Sequence, residues 1–176
     1  SAVTRGDITI KNVISDHLRP VIAKLLEVGC IIEEGGDFIR VKGPDIIKST
    51  DIKTMPHPGF PTDMQSLFMT LLSVSQGSSI VTETVFENRF MNVAELKRMG
   101  ADIKIEGKSA MINGIEHLQG AKVKATDLRA GASLILAGLI AKGDTEISDI
   151  YHIERGYVDI INKINALGGI IKKIED

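Results

Sequence analysis

The chain has 176 residues, 43% hydrophobic and 25% charged, with a formal net charge of −2. Those values describe a globular chain long enough to bury a full core without staples. The single Cys excludes a disulfide framework or multi-Cys metal site, the balance of 21 basic against 23 acidic residues argues against nucleic-acid or membrane-surface binding, and 4% aromatics without Trp disfavour a base-stacking platform.

In chain order, Ser1–Asp7 lack the basic and apolar segments of a signal peptide, and no later apolar run approaches the ~20 residues of a membrane span. Leu18, Val21, Ile22, Leu25 and Leu26 share one helical face, and Gly29 stands where a glycine ends such a helix. CIIEE and DFIRV then flank Gly35-Gly36, a hairpin signal. Pro56–Pro61 reads as a rigid loop entering a second helix, residues 64–74, which is apolar on nearly every face. Gly77, the strand SSIVTE and a polar, aromatic loop over residues 83–91 follow. ELKRMGADIKIE (95–106) repeats the first helix, glycine and strand, and Gly107-Lys108 turns a second hairpin. The segment 130–141, AGASLILAGLIA, has almost no polar face, and a helix apolar all round is expected to be buried all round. Gly143, a strand, the loop Tyr151–Tyr157 and KINALGGIIKKIE (163–175) complete the pattern, the last again predicting helix, glycine and strand.

The chain therefore repeats itself. Gly29, Gly100 and Gly168 mark one element and Gly77 and Gly143 an interleaved one, with a period of about 70 residues, longer than the usual solenoid repeats. The expected fold is α/β: one domain of inside-out βα units with helices central and sheets outside, the units spanning 1–56, 57–121 and 122–176 and the last incomplete.

Two candidate sites place polar groups at the head of a buried helix: Thr62-Asp63 and Thr126-Asp127-Leu128-Arg129. Both aspartates also suit N-capping, where a side-chain oxygen accepts an orphan backbone N–H. Arg129 is harder to explain in that way, because a cation in a first helical turn opposes the macrodipole unless an anion sits beside it. Two loops, Glu83–Met91 and Tyr151–Tyr157, are expected at the same end of the domain, so that Arg89, Arg129 and Arg155 converge on one anionic ligand, a task suited to the planar guanidinium. The four His show no metal spacing, Gly107-Lys108-Ser109 lacks the upstream Gly of a phosphate loop, and Cys30 aligns in the repeat with Ala101 and Gly169, which marks a small-residue packing position.

FPTDMQ (60–65), TETVFENRFM (82–91), ATDLRAGASL (125–134) and IYHIERGY (150–157) resemble the UDP-N-acetylglucosamine 1-carboxyvinyltransferases, enolpyruvyl transferases of bacterial peptidoglycan synthesis. The resemblance runs over nearly the whole chain and implies a cytoplasmic, cofactor-free enzyme. It would move the enolpyruvyl group of phosphoenolpyruvate onto the 3′-hydroxyl of UDP-N-acetylglucosamine, by addition and then elimination of phosphate. On the family pattern Asp63 contacts the sugar hydroxyl and is the candidate base, Val85 and Phe86 border the UDP-sugar, Arg89, Arg129 and Arg155 surround phosphoenolpyruvate, and Asp127 is an acid near the site. The resemblance also implies a partner outside this sequence: an N-terminal domain carrying a Lys-Asn pair and a loop with the general acid. Without it the 176-residue chain is expected to fold but not to turn over. The alternatives are the related 3-phosphoshikimate 1-carboxyvinyltransferases and a non-catalytic UDP-sugar-binding module.

Overall fold

The structure, a computed structural model, describes residues 1–174. The described residues form three sheets and six α-helices. In the first sheet β1 (Asp7–Lys11) and β2 (Ile31–Glu34) flank β3 (Phe38–Lys42), all antiparallel. α1 (Arg19–Glu27) lies between β1 and β2 in sequence and carries Pro20 in its first turn, which suits proline because its missing N–H is unpaired there anyway. Its buried residues are Val21 and Ile22, whereas Leu18 and Leu26 are exposed. The apolar stripe is thus narrower than its spacing predicts, because the helix starts one residue after Leu18 and packs on a single small sheet.

The second sheet has the order β4 (Ile52–Lys53), β5 (Ser78–Thr82), β7 (Ser109–Asn113), β6 (Asp102–Glu106). β4 and β5 are parallel and joined through α2 (Gln65–Leu72), a βαβ crossover; β5, β7 and β6 are antiparallel. α3 (Asn92–Arg98) leads into β6. The third sheet repeats the crossover: β8 (Lys122–Lys124) and β9 (Glu146–Ser148) are parallel and joined by α4 (Leu128–Ile140). α5 (Tyr151–Glu154) and α6 (Ile160–Ala166) follow.

Strands of the second sheet alternate buried and exposed residues, so one face meets the core and one meets solvent. α2 is buried along almost its whole length, and it packs against α4, where Thr70 Oγ1 donates to the Ser133 carbonyl at 3.1 Å. Met69, Leu72, Leu96, Ile112 and Leu134 are fully buried around this contact. α4 departs from the expectation of burial on all sides: Ala130–Leu134 and Ala137 are buried, while Ile135, Leu136, Leu139 and Ile140 are only half-covered, because the third sheet supplies two strands where the second supplies four.

Gly29, Gly77, Gly100, Gly143 and Gly168 all adopt positive φ, as expected for glycines that end a helix and release the chain into a strand. Two local expectations are corrected. The first hairpin turns on Gly36-Asp37, not Gly35-Gly36: Gly35 N–H donates to the Phe38 carbonyl at 2.9 Å, and a Cβ on Gly35 would lie 2.1 Å from the Phe38 ring. The strand expected after Gly168 does not form within the described residues. Instead the Asn165 side chain accepts from Ile171 N–H and donates to its carbonyl, both at 2.9 Å, and so occupies groups a ladder would use. The end of that predicted strand, Glu175, lies outside the described residues, as does Asp176.

Candidate active site

The heads of α2 and α4 meet at the side of the α2–α4 pair. Asp127 has extended backbone and is the N-cap of α4: its Oδ1 accepts from Arg129 N–H at 2.8 Å and Ala130 N–H at 3.1 Å. Its capping reading is therefore realised. Asp63 does not cap. It lies in the single turn Thr62–Met64 that precedes α2, and its Oδ1 accepts from Arg129 Nε, forming an ion pair across 66 positions of sequence. The Arg129 side chain is 30% exposed and Asp63 65%, so both groups are reachable from solvent. The anion that offsets a cation in the first turn of α4 is thus supplied by the protein's own carboxylates.

Thr62 also does not cap; its hydroxyl donates to Glu83 Oε2 at 2.8 Å. Glu83 follows β5 and is buried, and its other oxygen, Oε1, accepts from Val85 N–H at 2.8 Å and Phe86 N–H at 3.0 Å. Burial works to raise its pKa, but donors from Phe86 N–H, the Thr62 and Thr54 side chains and Val85 N–H outweigh it and hold the carboxyl below its ordinary value. Sequence reasoning quoted Glu83 but gave it no task. The available signal was strand alternation: Ser79, Val81 and Glu83 fall on one face, and the first two are buried.

Phe86 is half-exposed, and the Arg89 guanidinium lies 4.4 Å from its ring centroid, a cation–π contact. Both line an open pocket of about 470 Å³ with Glu83, Met91, Ile105 and Lys108. Arg155, at the end of α5, is exposed. α5 is held on the head of α4 by close approach, since a Cβ on Gly131 would lie 2.4 Å from Ile153 Cγ1. Tyr157 comes with it: burial first, then the nearby Asp63 carboxylate, raise its pKa, and Arg129 opposes this. Asp63, Asp127, Arg129 and Tyr157 are thus brought together, and Val85-Phe86 is tied to the same turn through Glu83. Arg89 lies over Phe86 and Arg155 ends α5, and neither is bonded to Asp63 among the described residues, so of the three arginines only Arg129 is seen in contact with it. The arrangement offers one carboxylate, Asp63, beside one guanidinium, Arg129, a pairing of proton acceptor and fixed positive charge.

The profile of the EPSP synthase (3-phosphoshikimate 1-carboxyvinyltransferase) family matches residues 1–164. The chain belongs to that family. Within the EPSP synthase family it is 62% identical over 171 residues to UDP-N-acetylglucosamine 1-carboxyvinyltransferase 1 of Caldanaerobacter subterraneus subsp. tengcongensis, covering 97% of this chain and 41% of the relative. It is 60% identical over 177 residues to the UDP-N-acetylglucosamine 1-carboxyvinyltransferase of Finegoldia magna, covering 99% and 42%. This member of the EPSP synthase family therefore spans about two fifths of the length of those relatives. Among solved structures it is similar to the enolpyruvyl transferase NikO from Streptomyces tendae, with a TM-score of 0.86 and 26% identity over 95% of this chain and 40% of that one. EPSP synthase from Acinetobacter baumannii matches with a TM-score of 0.77 and 18% identity over 99% and 45%, a likeness of fold. The mixed α/β architecture is that of the enolpyruvyl transferases.

Proposed function

We propose that the chain is the half of a UDP-N-acetylglucosamine 1-carboxyvinyltransferase that carries the catalytic carboxylate and the arginines. The observation that carries this reading is the Asp63–Arg129 pair at the head of α4. Asp63 accepts the proton of the sugar 3′-hydroxyl as its oxygen attacks C2 of phosphoenolpyruvate. C3 takes a proton from an acid, and the tetrahedral adduct then loses phosphate and a C3 proton to leave the enolpyruvyl ether. Arg129, with Arg89 and Arg155, neutralises the phosphate and carboxylate charge, and the Val85 backbone, with Phe86, borders the UDP-sugar. Asp127 holds Arg129 in place by capping the turn that bears it. The acid, and the Lys-Asn pair implied by the resemblance, are assigned to the part of the relatives that this chain does not span. No cofactor enters the scheme, and none of the described helices is long and apolar enough to cross a membrane, in keeping with a cytoplasmic enzyme of peptidoglycan synthesis.

The same reading assigns three inside-out repeat units, 1–56, 57–121 and 122–176. It is supported by the matching strand orders β1-β3-β2 and β5-β7-β6 and by the paired crossovers β4-α2-β5 and β8-α4-β9. The test is Asp63→Asn in the full-length product of the gene. Phosphate release from phosphoenolpyruvate and UDP-N-acetylglucosamine should fall by about 10²–10⁴-fold, the usual contribution of a positioned base; a near-normal rate removes Asp63 from that role. 3-Phosphoshikimate as acceptor is the runner-up, and its failure to support phosphate release is expected.

A further inference from the structure

Glu83 is 2% exposed, at a point where β5 has ended and the loop toward α3 begins. A buried carboxylate persists only where donors replace its water. Here donors from three segments do: the Val85–Phe86 amides, the Thr62 hydroxyl and the Thr54 side chain. Oε1 takes Val85 N–H and Phe86 N–H, and Oε2 takes the Thr62 hydroxyl. The next residue doubles the tie: Thr84 N–H donates to Thr54 Oγ1 at 2.9 Å and Thr84 Oγ1 to the Thr54 carbonyl at 2.6 Å. The Glu83 N–H itself donates to the Lys108 carbonyl at 2.9 Å, on the hairpin turn that lines the same pocket as Phe86 and Arg89.

We infer that Glu83 is a positioning residue, a buried clamp that locks the Val85–Phe86 backbone to Thr62 and so fixes the Asp63 carboxylate relative to the loop bordering the sugar nucleotide. The inference rests on the reading that Asp63 and Val85 face one acceptor substrate. Its chemistry is specific. These donors converge, and only a carboxylate accepts them all on two atoms. A carboxamide keeps both loop amides on its oxygen, but it forces the Thr62 hydroxyl to turn and accept. A methyl group satisfies none of them. Substitutions should therefore rank Glu, then Gln, then Ala.

The experiment uses the full-length gene product with Glu83→Gln, Glu83→Ala and Thr62→Val. It reads kcat and KM per folded molecule, together with hydrogen exchange at the Val85 and Phe86 amides. Glu83→Ala should raise KM for UDP-N-acetylglucosamine and lower kcat, a combined loss of about 10²-fold in kcat/KM, the scale of a displacement near 1 Å. KM for phosphoenolpyruvate should change little, and both amides should lose protection. Glu83→Gln should recover most of the loss, and Thr62→Val should lower kcat while the amides stay protected. A purely structural role would lower the folded fraction and leave KM and kcat of the folded molecules unchanged. That result, or deprotected amides with unaltered kinetics, overturns the inference. If Glu83→Ala does not fold, unchanged kinetics in both Glu83→Gln and Thr62→Val overturn it equally. A wild-type enzyme inert toward these substrates refutes the functional reading and the positioning role with it, and is told apart because the wild type itself fails.

Discussion

At the scale of single residues, Asp127 satisfies two first-turn donors of α4, Arg129 N–H and Ala130 N–H. Asp127→Ala should cost about 0.5–2 kcal/mol in urea unfolding, and Asp127→Asn, which caps as well, should cost little. Asp63 holds no such bond. Its exposed pairing with Arg129 is worth about 1 kcal/mol at most, so Asp63→Asn should leave the urea midpoint nearly unchanged while turnover collapses. A large fall in midpoint with retained turnover would make Asp63 structural. Glu83 adds a pH signature. Its folded-state pKa lies below the ordinary 4.5, so the stability it contributes is fully present above about pH 4.5 and is lost as pH falls through the lower folded value. The melting-temperature advantage of wild type over Glu83→Gln should therefore be full near pH 7 and shrink in acid; an advantage independent of pH would contradict this. Thr62-Asp63 and Thr126-Asp127 look alike in sequence, and the difference between them was not legible there. It depends on Arg129 reaching Asp63, and on Glu83 drawing the Thr62 hydroxyl, contacts that only the packed heads of α2 and α4 create.

At the scale of elements, α5 reaches the site because Gly131 lets Ile153 lie against α4. Gly131→Ala inserts a methyl where Ile153 stands, and overpacking of that kind typically costs about 1–3 kcal/mol. It should also move Tyr157 away from Asp63 and Arg129, which tyrosine fluorescence or its titration would register; an unshifted titration would show that α5 is placed by other contacts. The burial of α2, the second hairpin and the helix-ending glycines were legible, since apolar patterning and positive-φ glycine act locally. What escaped was set by neighbours. The first hairpin moved by one residue because the Phe38 ring covers Gly35. The strand after Gly168 gave way to Asn165 side-chain bonds to Ile171. Periodicity predicts what a segment can bury, not whether a partner is there to cover it.

At the scale of the whole molecule, the three sheets are tied together by one continuous core running from Val21 through Leu72 and Leu96 to Leu134. The 176-residue chain should therefore melt in one cooperative transition, followed by circular dichroism. Separate transitions for the first sheet and the α2–α4 pair would show that the core is not shared. The glycines that recur about 70 residues apart all take positive φ just after a helix, so those junctions were readable from local sequence. The substrate is a different matter, since a fold hosts more than one acceptor and only the site distinguishes them. The decisive measurement is phosphate release by the full-length gene product from phosphoenolpyruvate, with UDP-N-acetylglucosamine and with 3-phosphoshikimate as alternative acceptors. We predict release that depends on UDP-N-acetylglucosamine and collapses in Asp63→Asn; release with 3-phosphoshikimate alone, or release that Asp63→Asn leaves intact, would contradict it.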